Sequence, residues 1–174
     1  MASGPNNTLY FGDRAGSHYF FVLENTLATA DDNAWSGRFN PQFSDQVNTI
    51  MINPFLKWNG FEFFGTYELA NGRMVTETGK RNASQVAADI VYRFPRASER
   101  FWIGGRYNSV TSKIPSQEEE IQINRITGSA GWFLTKNILV KGEYVRQVYR
   151  DFPANDIRSG GMIDGVMFQA SVGF

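Results

Sequence analysis

Along most of this chain apolar and polar residues alternate with a period of two, in runs separated by Gly, Asn, Asp or Pro, and no stretch carries a helical stripe. The pattern predicts eight strands: His18–Thr26, Val47–Trp58, Phe61–Leu69, Gln85–Phe94, Arg100–Thr111, Ile121–Leu134, Asn137–Tyr149 and Met162–Phe174. Residues 1–16 read as an irregular N-terminal segment of the same single domain. Strands two and three meet at Asn59-Gly60, where a type I′ turn needs positive φ at both central residues. Short connections also fall at Pro95–Glu99 and Thr135–Lys136, while Leu27–Gln46, Ala70–Ser84, Ser112–Glu120 and Arg150–Gly161 are long and polar. Short and long therefore alternate, as in a transmembrane barrel with tight periplasmic turns and long outer loops. Pro54 removes a ladder donor inside the second strand and predicts a bulge there.

Each strand divides into two faces. Phe61, Phe63, Gly65, Tyr67 and Leu69 oppose Glu62, Phe64, Thr66 and Glu68, and Phe101, Ile103, Gly105 and Tyr107 oppose Trp102, Gly104, Arg106 and Asn108. Alternation by itself does not say which set points inward. A soluble lipocalin-like barrel would bury the apolar set and expose the charges, whereas an outer-membrane barrel does the reverse.

Three features favour the membrane version. Aromatics of the apolar set lie towards strand ends, forming the predicted girdle of Trp58, Phe61, Tyr67, Phe94, Phe101, Tyr107, Trp132 and Tyr144. Small residues, among them Gly65, Ala88, Gly105, Gly128, Ala130 and Gly142, occupy the middle of that face. The last strand places Val166, Phe168, Ala170, Val172 and the terminal Phe174 on one unbroken apolar face. Asp164 stands ten residues before Phe174. At about 3.3 Å per residue and roughly 40° tilt, that lies about 25 Å away along the membrane normal.

Composition removes the other membrane option. The longest apolar stretch, Tyr19 to Leu23, is five residues, and mean hydropathy is −0.33. A spanning helix needs about 20 apolar residues, whereas barrel strands need only about 9–11 that alternate. Lysine plus arginine total 17 and aspartate plus glutamate 17, so no basic excess points to nucleic acid. The absence of cysteine excludes disulfides and thiolate metal sites. The opening Met-Ala-Ser-Gly-Pro does not read as a signal peptide, so we expect it to have been removed or the N-terminus truncated.

The segment Gly131–Tyr149, followed by a Gly-rich loop and a strand ending in Phe, resembles the end of Gram-negative porins. It is most similar to phosphate-selective (OprO/OprP-type) porins and their Bacteroidetes relatives, over about the last third of the chain. The resemblance implies a bacterial outer-membrane location, contact with outer-membrane lipid and recognition of the C-terminal strand by the barrel-assembly machinery. It also implies passive diffusion of small solutes. That family typically has sixteen strands and is often trimeric, so this chain would be either the C-terminal half of a porin, in a homo-oligomer, or a compact eight-stranded barrel.

Nine charges fall on the expected inner face: Lys57, Glu62, Glu68, Asp89, Arg93, Arg106, Arg125, Lys141 and Glu143. In a wide barrel they line a channel and set its ion preference. In a closed eight-stranded barrel they form a salt-bridged plug, which suits a structural or loop-mediated interaction role. No catalysis is expected, because the single histidine, His18 beside Ser17, completes no nucleophile–base–orienter set. No cofactor or metal is expected either; Asp31-Asp32 and Glu118-Glu119-Glu120 read as solvated loop charge.

Overall fold

The computed structural model describes Tyr10, Gly12 and residues 14–16, 36–115, 117 and 119–174. These residues are all-β, with no helix among them: eight antiparallel strand segments in one up-and-down sheet. The segments are β1 (Gln46–Ile52), β2 (Phe55–Trp58), β3 (Phe61–Arg73), β4 (Arg81–Phe94), β5 (Phe101–Lys113), β6 (Glu120–Thr135), β7 (Ile138–Arg150) and β8 (Met162–Val172). β1 and β2 both pair with β3, and the order then runs consecutively to β8. The strand expected at His18–Thr26 lies outside the described residues, as do Ser17, Asp31, Asp32 and Glu118.

The strand expected at Val47–Trp58 is β1 and β2, interrupted at Asn53-Pro54. The bulge expected at Pro54 is absent. Ile52 faces Tyr67 and Phe55 faces Phe64, so the register is the same on both sides and no extra residue is inserted. Pro54 stands opposite Gly65, whose N–H donates to the Pro54 carbonyl at 2.8 Å. Only the reciprocal bond, for which proline has no hydrogen, is lost. Gly65 leaves room for the ring, since a Cβ there would come within 2.8 Å of Pro54 Cγ. At the other hairpin signal, Asn59 and Gly60 take the required positive φ, 54° and 84°.

β3 and β4 run further than the sequence suggests, shortening the expected Ala70–Ser84 loop to residues 74–80. The extension is stabilised on both faces. Outside, Asn71 donates to Asn82 at 2.7 Å; inside, Ala70 and Ala83 are buried in the hydrophobic core. At the end of β6 the register shifts between Phe133 and Thr135, next to the tight turn into β7.

That core lies at the long-loop end of the sheet, on the face that carries the charges. Ala70, Ala83, Val110, Ile121, Ile123 and Tyr149 project from the strands and are covered by Tyr10, Ala15, Phe39 and Phe43. The covering chain pairs with itself, Gly12 bridging Phe39 and Ala15 N–H donating to Gly37 O at 3.1 Å. The two backbones approach so closely that a Cβ on Gly37 would sit 2.2 Å from Gly16 O. Part of the N-terminal segment expected to be irregular therefore packs against the sheet.

The apolar set points away from this core. Ile90 is 54% exposed, Ile126 57%, Val166 63% and Phe168 87%, while Asn108 and Gln147 on the opposite face are 0% exposed. The exceptions are Met51, Phe55 and Phe64, apolar residues on the charged face that remain exposed beside the β1/β2 edge.

Candidate functional site

The charged face is built in rows set by strand register. Nearest the core, Asn108, Arg125 and Gln147 stand opposite one another on β5, β6 and β7. Arg125 is buried and donates to Gly16 O, to Ser36 Oγ at 3.3 Å and to Gln147 Oε1 at 3.1 Å. Gln147 and Tyr149 donate to Ser36 O, and Asn108 donates to Arg14 O at 2.7 Å. A desolvated guanidinium is costly unless its donors are used, and here they fasten residues 14–16 and 36 to the sheet. Glu68, also buried, pairs with Arg14 at 3.2 Å.

Towards the short turns the same face opens. Asp89 and Arg106 are register partners 3.5 Å apart. Glu62 takes Lys57 at 2.9 Å and Arg93 through two bonds of 3.0 and 3.2 Å, and Lys141 reaches Glu143 at 3.2 Å. All nine expected inner charges thus share one face, seven of them in this open half. Arg106 keeps 44% of its side-chain exposure and Asp89 27%, so their pair contributes only about 0–1 kcal/mol to stability. Its consequence is electrostatic: opposite charges lie side by side on a face open to solvent.

The outer face carries a second pattern that alternation does not reveal. Phe61, Tyr92, Phe94, Phe101 and Trp132 form a continuous ladder at the short-turn end, with successive ring centroids 4.6–5.9 Å apart. Four of these belong to the expected girdle, and Tyr92 is an addition. Trp58, Tyr67, Tyr107 and Tyr144 are also exposed on this face, as are Val166, Phe168, Ala170 and Val172 of the last strand and the following Phe174.

Read from the middle of the sheet towards the long loops, the first polar outward residue on β3 to β8 is Asn71, Ser84, Ser109, Asn124, Arg146 and Asp164, and the apolar or aromatic residue just before it is Leu69, Val86, Tyr107, Ile126, Tyr144 and Val166; Val148 and Met162 lie beyond this line on β7 and β8. Traced back through its register partners, the row of Val166 runs through Tyr144, Gly128, Gly105 and Ile90 to Phe63, six residues from Leu69. The boundary therefore crosses the strands obliquely. Six residues at about 3.3 Å against five strand spacings of about 4.8 Å give an inclination of about 40°. The apolar run from Val86 to Phe94 spans about 26 Å along β4, or about 20 Å perpendicular to that boundary.

Sequence reasoning missed Arg14, Gly16 and Ser36, whose role depends on contacts across roughly a hundred residues of chain. The local hint was uncharged polar Asn108 and Gln147 at mid-strand positions of the charged face, which need partners once buried. Among the described residues, no group of three or more acidic or histidine side chains could hold a metal ion.

These features define a class by architecture: an antiparallel up-and-down sheet with a solvent-facing apolar side bounded obliquely to its strands and a polar, ion-paired side opposite. No protein-family model and no curated protein matches the chain.

Proposed function

We propose that this chain is a porin-like outer-membrane protein, or the C-terminal part of one, whose strands form the wall of a transmembrane β-barrel admitting small solutes. The observation that carries the reading is the oblique polar boundary. A bilayer surface cuts strands tilted about 35–45° along such a line, whereas water wetting the whole outer face would impose no straight boundary. Exposed aromatics at the opposite limit of the band and small residues between them fit the same geometry. A lipocalin-like soluble barrel would instead bury Ile90, Ile126 and Val166.

The half-exposed ion pairs on the inner face suit a water-lined passage with weak ion preference, because Lys57, Arg93 and Arg106 stand beside Glu62 and Asp89. One observation favours the non-channel alternative: residues 14–16 and 36–43 cover the long-loop half of that face. Planar-bilayer recording on refolded protein distinguishes the two. Stepwise current, with Glu62→Gln moving the reversal potential towards anions, supports the pore. Inserted protein that passes no current overturns it in favour of a structural or loop-mediated role.

A further inference from the structure

The sheet has two edges. β1 and β2 lie end to end against β3, so the eight segments occupy seven positions, and among the described residues neither β1/β2 nor β8 touches a strand on its far side. Both edges carry backbone groups that need partners. Tyr149 N–H donates to Gly161 O and Gly173 N–H to Asn137 O, which puts the bonded rows between β7 and β8 on the odd-numbered residues of β8. Val166, Phe168, Ala170 and Val172 therefore turn their N–H and C=O groups away from β7. At the other edge the Gly65 to Pro54 bond sets the even-numbered residues against β3, so that Val47, Thr49, Met51, Phe55 and Lys57 direct theirs past the edge. In the hydrocarbon of a bilayer no water reaches such groups, and an open edge does not stand there. From Gly165 to Phe174 the β8 edge also lacks the charge or proline that blunts solvent-exposed edges.

Strand direction says what closes the gap. Seven antiparallel positions leave the first and last running alike: Gln46 and Met162 both stand at the long-loop end, Trp58 and Val172 at the short-turn end. Joined directly, β1/β2 and β8 would be parallel, and so would any junction between copies inserted in one orientation. Antiparallel closure therefore requires an odd number of further strands. Gly16 and Ser36, which flank residues 17–35, both bond Arg125, so the chain between them leaves and returns at one level and cannot supply an odd number of crossings. Residues 1–9 do not alternate and have Gly-Pro-Asn-Asn at their centre. The point of entry is nevertheless the right one. Tyr10 packs 6.1 Å from Phe43, three residues before β1, so a strand leading into Tyr10 runs towards the long loops, antiparallel to β1/β2.

We propose that the wall is completed by an odd number of strands from polypeptide that precedes these 174 residues, the last of them antiparallel beside β1/β2 and the first beside β8. The inference rests on the membrane reading proposed above. It also specifies the chemistry of the neighbour. Met51, Phe55 and Phe64 are exposed on the charged face beside this edge, so the incoming strand carries apolar residues on its inner as well as its outer side at their level.

Because the chain has no cysteine, disulfides report the edges directly. Met167→Cys, on the inner side of β8, is combined in turn with Val47→Cys, Thr49→Cys, Met51→Cys and Phe55→Cys in protein inserted into vesicles; Gly142→Cys/Phe168→Cys, at register partners, is the positive control. The expected result is a disulfide in the control and none between the edges, within the chain or between copies. Either edge disulfide overturns the inference while leaving the membrane reading intact, whereas protein that stays soluble without detergent overturns both. In membranes of the cells that make the protein, an antibody against residues 151–161 should detect a chain longer than the 19.7 kDa of these residues, in which Met51→Cys cross-links to the segment leading into Tyr10. A chain of 19.7 kDa, alone or cross-linked through Met51→Cys to a different polypeptide, overturns the inference. The size measurement needs no substitution and decides the question should the cysteine variants fail to insert.

Discussion

Gly128 offers a direct test of what wets the outer face. It lies midway along the outward run of β6, between polar Asn124 and aromatic Trp132, and a Cβ there would meet nothing within 4 Å. A side chain at this position enters the surrounding medium without disturbing a packed neighbour. Comparing Gly128→Arg with Gly128→Leu cancels the backbone term common to both replacements of glycine. If the medium is hydrocarbon, arginine near the midplane costs about 2–4 kcal/mol, so the two variants differ by at least that much. The folded-to-unfolded ratio then differs by about 30- to 700-fold. If the medium is water, exposed substitutions of this kind fall within about 0.5 kcal/mol of each other. The assay is guanidinium unfolding of protein refolded into vesicles, read by tryptophan emission. Asn124→Arg, at the polar boundary, serves as the control and should cost about 0–1 kcal/mol. Gly128→Arg and Gly128→Leu variants of equal stability in vesicles would refute the orientation.

Arg125→Met leaves Gly16 O, Ser36 Oγ and Gln147 Oε1 without their donor; at about 1–3 kcal/mol per buried unsatisfied group, partly relieved by movement, we expect a loss of about 2–4 kcal/mol and faster proteolysis within 36–43. Gly65→Leu drives a side chain into the Pro54 ring and should destabilise by about 1–3 kcal/mol; Pro54→Ala in the same chain should recover part of that, and no recovery would remove the contact as the cause. In the β3–β4 loop, Arg81 hydrogen bonds at 2.7 and 3.0 Å hold the Glu77 carboxyl below its ordinary range. Because the folded pKa is depressed, the loop's stabilisation is fully present above the unfolded carboxyl pKa, about 4.3, and is lost as pH falls through the folded value. The protection of the Met74 amide, whose N–H donates to Glu77, relative to its intrinsic exchange rate should therefore fall in acid, and Glu77→Gln should remove that change in protection.

How much was legible beforehand varied with how local the determinant is. Asn59-Gly60 announced its turn because two residues settle the dihedrals. Pro54 announced an interruption but not its form, since whether the strand bulges or merely skips a bond depends on what stands opposite, and Gly65 is brought there only by pairing. The nine inner charges were assigned to one face by parity, yet their division into a packed half and an open half follows from where Tyr10 and residues 14–16 and 36–43 lie. The ends of β3 and β4 were underestimated because polar Asn71 and Asn82 read as loop until they are seen bonded across the ladder.

By itself the sequence determined an all-β chain with two chemically distinct sides, because side chains on a strand alternate whatever the strand pairs with. It left open which side turns inward, since alternation is unchanged when the faces are exchanged. The tertiary structure decided which side is covered, Tyr10, Ala15, Phe39 and Phe43 packing against the charged one. It also aligned the strand registers into an oblique boundary, a property of neighbouring strands together and therefore absent from any one of them.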